Sequence, residues 1–341
     1  MAVRVTPALN LPLIRRPPLR RILIRYLLDP STPLADSTAV ASRRAEGRPA
    51  GRPSLAAYGF LAPALAILLI FLLVPSIWVF GLSLFRWDLI ANNPTFVGLA
   101  NFERLLLRDD LWWQSVRQTV YYTAVSVPAS MALGLFLAVL LNARMPGRNL
   151  LRGAVFAPYV TPFVATIVIW IWIFNPDYGV LNALLGAVHL PAPGWIRSTD
   201  WIMPGVIIYG VWQHTGLNLV IYLAGLANLP AEVHEAARVD GAGPWRVFWR
   251  ITWPLLTPTT YFLLFINLIG SFKVVVPVYV FTGNTGGPDH AAETIGFYLY
   301  QQAFAFFHAG YAGAISVAFF LLILAITAIQ MRLASGRVFY A

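Results

Sequence analysis

Six apolar stretches of membrane length alternate with polar segments along most of the chain. Because about 20 apolar residues cross the hydrocarbon core of a bilayer as a helix, each stretch is long enough to span it. The predicted spans are Tyr58–Phe85, Gln118–Leu141, Gly153–Phe174, Pro204–Asn228, Thr259–Phe281 and Ala309–Met331. The pattern predicts an all-α membrane protein with six transmembrane helices over residues 58–331, between an N-terminal tail (1–57) and a C-terminal tail (332–341).

The composition agrees with this class. Of the 341 residues 58% are hydrophobic and only 11% are charged, whereas a soluble domain has about a quarter of its residues charged. The chain contains no cysteine, which excludes disulfides and thiolate metal sites.

The cations are distributed unevenly between the two sides of the membrane. Most of the 24 Lys and Arg residues lie on the side of the two termini, and the opposite loops hold only Arg86, Arg104, Arg108, Arg117 and Arg197. The positive-inside rule therefore predicts that both termini and the loop Leu229–Pro258 are cytoplasmic. This placement accounts for the net charge of +10 by attraction to lipid headgroups, so no nucleic-acid partner is expected.

The N-terminal tail contains ten arginines and many prolines. This composition predicts a solvated, largely disordered basic segment. The alternative is a short interfacial helix over Leu19–Leu28, where Arg21 and Arg25 share one face.

Motifs for enzyme chemistry are absent from the sequence. A phosphate-binding GxxxxGK[ST] loop needs a lysine after glycine, and the only lysine, Lys273, follows Phe272. No His-Glu-x-x-His run occurs, and the five histidines are scattered. We therefore expect no catalytic residue, no metal site and no cofactor bound by this chain.

The loop Leu229–Pro258 contains prolines and glycines that indicate two short helices joined by a turn. Pro230 is expected to open a first helix and Pro244 a second. Gly241 and Gly243 interrupt them, as glycine does where the backbone needs a positive φ. An amphipathic hairpin on the cytoplasmic side predicts a docking element.

This loop also carries a specific motif. Glu235-Ala236-Ala237, three residues, Gly241, nine residues and then Ile251-Thr252-Trp253-Pro254 resemble the E-A-A signature of the inner-membrane permease subunits of binding-protein-dependent ABC importers. Trp253 stands where the signature has leucine. Phe96–Phe102, Gly286–Pro288 and Gly310–Ala314 are similar to segments of the carbohydrate-uptake branch of that family.

The resemblance implies a cytoplasmic coupling hairpin that docks into a partner ATPase. The implied coupling residues are Glu235, Ala236, Ala237, Asp240, Gly241, Ile251 and Pro254. The implied partners, besides membrane lipid, are a second, related permease in a heterodimer, two ATPase subunits that hold ATP and Mg, and an extracytoplasmic substrate-binding protein. The implied location is a bacterial or archaeal plasma (inner) membrane.

A sugar, as a di- or oligosaccharide, is the leading substrate class that the resemblance implies, and glycerol-3-phosphate or another polyol phosphate is the alternative. Polar residues within the predicted fourth and fifth spans are candidates for the substrate path, because polar groups inside a membrane often mark one. They are Gln213, His214, Asn218, Tyr222, Asn267, Ser271 and Lys273. The competing interpretation is that they form hydrogen bonds that pack the bundle.

The outer loops Pro94–Arg108, Asp177–Asp200 and Gly283–His308 are the predicted contact surfaces for the binding protein. A different class of function, an ion-gradient-driven secondary transporter, normally uses carboxylates inside its spans, and no predicted span contains one. A purely structural membrane scaffold leaves the hairpin motif unexplained.

Overall fold

The computed structural model describes residues 55–143 and 145–334. The hypotheses about the N-terminal tail, including a helix over Leu19–Leu28, lie outside the described residues. The chain divides into two units, residues 1–67 and 68–341. The described part of the first unit is helical from Leu55 onward, and the elements that follow belong to the second.

The first span and its outer loop contain helices and one small hairpin. The elements are α1 (Leu55–Leu68), a π-helical segment (Leu69–Leu73), α2 (Val74–Leu82), the strands β1 (Phe85–Arg86) and β2 (Thr95–Phe96), and α3 (Ala100–Leu107). The strands pair antiparallel, with Phe85 opposite Phe96. Asn101 fixes this loop, since its Nδ2 donates to the carbonyls of Ser83 and Phe85, both at 2.9 Å.

Helices make up most of the remaining chain. They are α4 (Asp110–Asn142), α5 (Arg148–Val160), α6 (Phe163–Ile173), α7 (Val180–Ala187), α8 (Ile202–Ala227), α9 (Ala231–Val239), α10 (Pro244–Val247), α11 (Trp253–Leu255), α12 (Thr257–Phe272), α13 (Val276–Thr282), α14 (Ile295–Tyr300) and α15 (Ala309–Ala334). Two π-helical turns, Phe248–Thr252 and Gln301–Ala305, and a 3₁₀ turn at Pro288–His290 connect some of them.

The six predicted spans are found as four long helices and two bent pairs. The long helices are Tyr58–Leu82, Asp110–Asn142, Ile202–Ala227 and Ala309–Leu333. The pairs are Arg148–Val160 with Phe163–Ile173, bent by 101°, and Pro244–Leu255 with Thr257–Phe272, bent by 63°. With each pair counted once, the helices account for six spans and the predicted all-helical class is confirmed. The fifth span lies in Thr257–Phe272, because Pro244–Leu255 belongs to the hairpin.

Two spans predicted as single helices are broken, and these predictions were wrong in that detail. The third breaks at Thr161–Pro162, where Thr161 has ψ 140°, because proline disfavours helical backbone in the residue before it. The predicted fifth span, Thr259–Phe281, ends its helix at Phe272 and resumes at Val276, and Val275 between them is non-helical (φ −123°, ψ −58°).

Helix α8 lies at the centre of the bundle, where it packs on α4 and α5. Small residues permit the close approach that membrane helices use in place of a hydrophobic driving force. A Cβ added at Gly134 of α4 would lie 2.5 Å from Cβ of Asn218 in α8. The contact therefore requires glycine, and it fixes α8, which carries four of the candidate path residues, against α4.

Candidate functional site

Helix α9 forms the first half of the predicted hairpin. Pro230 is its N-cap, with extended backbone (ψ 122°), and Ala231 is its first residue, so the expectation that Pro230 itself begins the helix was off by one position. Glu232 in the first turn and Arg238 in the last suit the helix dipole. Asp240, a coupling residue only by the resemblance, is the C-cap.

A Schellman motif at Gly241 ends the helix. The Gly241 N–H donates to the Arg238 carbonyl at 3.1 Å, and the Ala242 N–H donates to the Ala237 carbonyl at 2.9 Å. Gly241 has φ +72°, the left-handed conformation that this motif requires. Gly243 has φ −66° and ψ 159°, so the expectation of positive φ at Gly243 was wrong. The turn depends on a single glycine.

The E-A-A residues lie on different faces of α9. Glu235 and Ala236 are exposed, whereas Ala237 is only 7% exposed and packs inward. Ala236 is therefore available to a partner, and Ala237 sets how closely α9 approaches its own protein.

His234 links the two halves of the hairpin, a role that the sequence analysis missed. One ring nitrogen, Nδ1, lies 3.3 Å from the Pro230 carbonyl, and the other, Nε2, lies 3.2 Å from the Thr252 hydroxyl. Thr252 is buried in the π-helical turn. The only sequence signal was the helical spacing from Pro230 to His234, which does not identify a partner 18 residues away.

A groove of about 610 Å³ runs beside α9. Its walls include Asn142 at the end of α4, Leu229, Glu235, Arg238 and Val247. Glu235 and Arg238 are three positions apart on α9, but no ion pair joins them among the described residues. Both side chains keep their charges available at the groove.

The second half of the hairpin is an aromatic segment that continues into α12. Ring centroids lie 5.7 Å apart for Trp245 and Trp249 and 6.0 Å apart for Trp249 and Trp253. Ile251 and Pro254, which the resemblance implies as coupling residues, are half-buried within it. The 63° bend into α12 follows Pro254, so the hairpin leads directly into a span.

Most of the candidate path residues fall into two groups that share Asn267. Gln213 and Asn218 of α8 are both fully buried. Asn267 of α12 donates from Nδ2 to Oδ1 of Asn218 at 2.8 Å and to the Leu263 carbonyl at 2.8 Å. Neither amide atom of Gln213 has a partner among the described residues. Asn218 and Asn267 thus join α8 to α12.

A second group surrounds two small adjoining cavities. His214, whose Nδ1 lies 2.9 Å from the Gly210 carbonyl, lines both. Asn267 and Ser271 line the narrower one. Lys273 lines the larger, of about 260 Å³. No signal in the sequence identified the aromatic walls of the larger cavity, which are Tyr122, Phe163 and Tyr209.

Lys273 and Tyr222 are placed differently from the expectation. Lys273 caps the end of α12 rather than lying inside a helical span, and it is exposed. Tyr222 is 1% exposed and packs with Leu219 and Leu263, apart from the cavity that Lys273 lines. The structure therefore brings His214, Asn267, Ser271 and Lys273 together and leaves Tyr222 out.

The predicted outer contact surface Gly283–His308 is partly buried. Gln114 of α4 donates from Nε2 to the Asp289 and His290 carbonyls at 2.8 and 2.9 Å. Glu293 is fully buried and lies 3.1 Å from Nδ1 of His290. Burial raises the pKa of Glu293 to about 7, and the bond from His290 opposes that rise. Much of this loop anchors the bundle.

This combination of features defines a class. The described residues form a bundle of membrane-length helices, with two bent spans, a small cavity lined by aromatic rings, His214 and Lys273, and an exposed hairpin that leads into one of the spans. The chain is a multi-pass membrane permease.

The particular family follows from comparison with known proteins. The chain belongs to the family described as "Binding-protein-dependent transport system inner membrane component", whose model matches residues 130–339. It is 32% identical over 283 residues to the trehalose/maltose transport system permease protein MalF of Thermococcus litoralis, covering 82% of this chain and 94% of that one. It is 33% identical over 288 residues to the sn-glycerol-3-phosphate transport system permease protein UgpA of Agrobacterium fabrum, covering 83% and 96%.

A solved structure shares the fold. A chain from the bacterial alginate ABC transporter in complex with an alginate pentasaccharide-bound periplasmic protein superposes with a TM-score of 0.71, at 22% identity, over 82% of this chain and 93% of that one. The resemblance stated from the E-A-A motif is confirmed at the level of the family. The chain is a transport permease subunit that works with a binding protein.

Proposed function

We propose that this chain forms half of the translocation pathway of an ATP-driven importer for a di- or oligosaccharide. The names of the MalF relative and of the alginate transporter support a sugar. The observation that carries the proposed ATP coupling is the hairpin itself: a short helix with exposed Glu235 and Ala236, closed by Gly241 and joined to α12.

The hairpin is positioned to transmit movement to the substrate path. Helix α9 follows α8 after Pro230, and the segment after Gly241 leads into α12. These are the two helices that the bond between Asn218 and Asn267 joins. A partner ATPase that holds α9 and tilts it therefore moves both walls of the path as one body, which is a rigid-body switching transition.

The assembly that this function requires contains several chains. A second, related permease supplies the other half of the pathway, two ATPase subunits hold ATP and Mg, and a binding protein delivers the substrate on the outer side. Both termini and the hairpin are cytoplasmic, as the positive-inside rule predicts. This chain supplies binding surfaces and movement and holds no cofactor.

Sugar hydroxyls need hydrogen-bonding partners and sugar rings need flat apolar faces. The cavity beside Lys273 offers both, because His214 and Lys273 lie with the rings of Tyr122 and Tyr209. We propose that His214, Asn267, Ser271 and Lys273 contact the substrate, with Gln213 and Asn218 behind them. Tyr222 is the least supported candidate, since it packs away from this cavity.

A polyol phosphate is the second candidate substrate. The UgpA relative supports it by name, and the exposed ammonium of Lys273 suits a phosphate. A Lys273→Met variant in proteoliposomes distinguishes the two substrates when ATP-dependent uptake of maltose, trehalose and glycerol-3-phosphate is measured side by side. We expect the wild-type transporter to take up a sugar and the Lys273→Met variant to take up that sugar more slowly. Uptake of glycerol-3-phosphate alone, abolished in the variant, would replace the sugar proposal. Absence of ATP-dependent uptake of any of them would refute it.

A further inference from the structure

A polar cavity of about 600 Å³ lies on the outer side of the bundle, apart from the candidate path. It opens between the turn after β1, helix α3 and the beginning of α15. The charged and aromatic residues that line it are Arg86, Trp87, Asp88, Glu103, Arg104, Arg108, His308 and Tyr311. None of the candidate path residues lines it.

The acids of this cavity already have partners. Glu103 pairs with Arg108, whose Nη2 lies 2.6 Å from Oε1. Asp88 accepts the backbone N–H groups of Ile90 and Ala91 at 2.8 and 3.1 Å. The bonds from Ala91 and Ile90 hold the pKa of Asp88 below its usual value, so this carboxylate stays ionised and locally satisfied.

Two of the three arginines lack an acidic partner. Neither Arg86 nor Arg104 comes within 4.0 Å of a carboxylate oxygen among the described residues. The guanidinium carbon of Arg104 lies 4.3 Å from the centroid of the Tyr311 ring, a cation–π distance. Tyr311 is itself fixed, because its hydroxyl donates to Asp109. Arg104 is therefore held in position without a carboxylate partner among the described residues.

We propose that this cavity is a carboxylate site that receives an acidic side chain from the surface of the substrate-binding protein, with Arg86 and Arg104 as its ligands. Two guanidinium groups match the planar, bidentate geometry of a carboxylate. The family depends on a binding protein, and β1, α3 and His308 belong to loops on the side opposite the coupling hairpin. This proposal rests on the proposed function in one respect only, namely that the side of the protein that carries the cavity faces outward. The same chemistry suits a free anionic substrate, but the cavity shares no residue with the candidate path.

The test uses the whole transporter in nanodiscs, with the double variant Arg86→Gln/Arg104→Gln. The matched control is Arg117→Gln, an exposed arginine of α4 that lies outside the predicted contact surfaces and does not line this cavity. Binding of fluorescently labelled binding protein is titrated at about 0.1 M and about 1 M salt, between which the screening length falls from roughly 10 to roughly 3 Å. Coelution of all subunits on size exclusion shows that each variant assembles.

We expect the double variant to weaken binding at low salt about tenfold or more and to lose most of the salt dependence, because steering by rim charges is screened. The control should stay within about twofold of wild type. Equal effects in the two variants, or a salt dependence that survives in the double variant, would overturn the proposal. In a second arm glycerol-3-phosphate is added without binding protein, and ATP hydrolysis is measured. If the double variant changes only the hydrolysis stimulated by glycerol-3-phosphate, the site takes a free anion and the proposal is wrong. A wild-type transporter that hydrolyses no ATP would instead refute the proposed function.

Discussion

Replacing Gly241 by alanine tests whether the hairpin has to be preformed for coupling. Gly241 has φ +72°, and no atom lies within 4 Å of an added Cβ. The substitution therefore introduces conformational strain without a steric clash. The left-handed conformation costs an alanine about 1–2 kcal/mol, and the lower entropy of the unfolded chain returns about 0.4–1 kcal/mol.

The net destabilisation of the turn is thus about 1 kcal/mol, which corresponds to roughly a fivefold change in an equilibrium constant. Because the ATPase has to bind the ordered hairpin, we expect the affinity of the permease for the ATPase to fall by at most about fivefold. Substrate-stimulated ATP hydrolysis, titrated with ATPase subunit in proteoliposomes, measures this affinity. Gly241→Asn should fall between alanine and wild type, since asparagine tolerates the left-handed region better.

Gly243→Ala is the matched control. This glycine is two residues away, has φ −66° and likewise has open space around an added Cβ. Alanine adopts this extended backbone without strain, so the ATPase titration should match wild type or improve slightly. If both alanine variants weaken coupling equally, or if Gly243→Ala is the more severe, the assignment of the turn to Gly241 is wrong.

Other predictions concern the hairpin link, the buried amides and the outer loop. His234→Ala should lower the free energy of unfolding by about 1 kcal/mol through loss of the Thr252 contact, and Thr252→Val should act in the same direction in thermal melts of the assembled transporter. Asn267→Leu alone should destabilise by about 1–3 kcal/mol, because it leaves the buried Oδ1 of Asn218 without its donor. The double variant Asn218→Leu/Asn267→Leu should regain most of that stability but lose uptake, and full uptake would leave these residues a packing role only. The pKa of Glu293 is raised to about 7 in the folded protein, so folding binds a proton that the unfolded chain has released. The melting temperature should therefore fall as the pH rises from about 5 to about 8, and Glu293→Gln should flatten that dependence.

Hydropathy and charge predicted the class and number of spans because membrane insertion acts on these quantities directly. They did not predict where spans bend. The break at Thr161–Pro162 had a local signal in the proline, whereas the break after Phe272 lies in the run Val274–Val276, which is as apolar as a span. That break is fixed by a tertiary contact, since the Thr294 hydroxyl donates to the Val274 carbonyl at 2.8 Å.

The candidate site was predictable only where its signal was local. In the sequence, Gly241 indicated the turn of the hairpin and Pro244 the start of its second helix. Both residues occupy these positions in the structure. The bond from His234 to Thr252 and the aromatic walls Tyr122 and Tyr209 join residues far apart in the chain, and no periodicity within one helix encodes such a contact. The sequence also grouped Tyr222 with His214 and Asn218 as polar residues of the fourth span, although Tyr222 packs elsewhere.

The most direct test of the central claim is a cross-linking measurement, for which the absence of cysteine from this chain provides a clean background. Ala236→Cys places one thiol on the exposed face of α9, and Thr199→Cys places one on an exposed outer loop. A short thiol-to-amine cross-linker is applied to the assembled transporter, and the partner is identified by mass spectrometry. We predict that Ala236→Cys links to the ATPase subunit and that Thr199→Cys does not. No link from Ala236→Cys to the ATPase, or an equal link from Thr199→Cys, would contradict the assignment of this hairpin as the point where the ATPase drives transport.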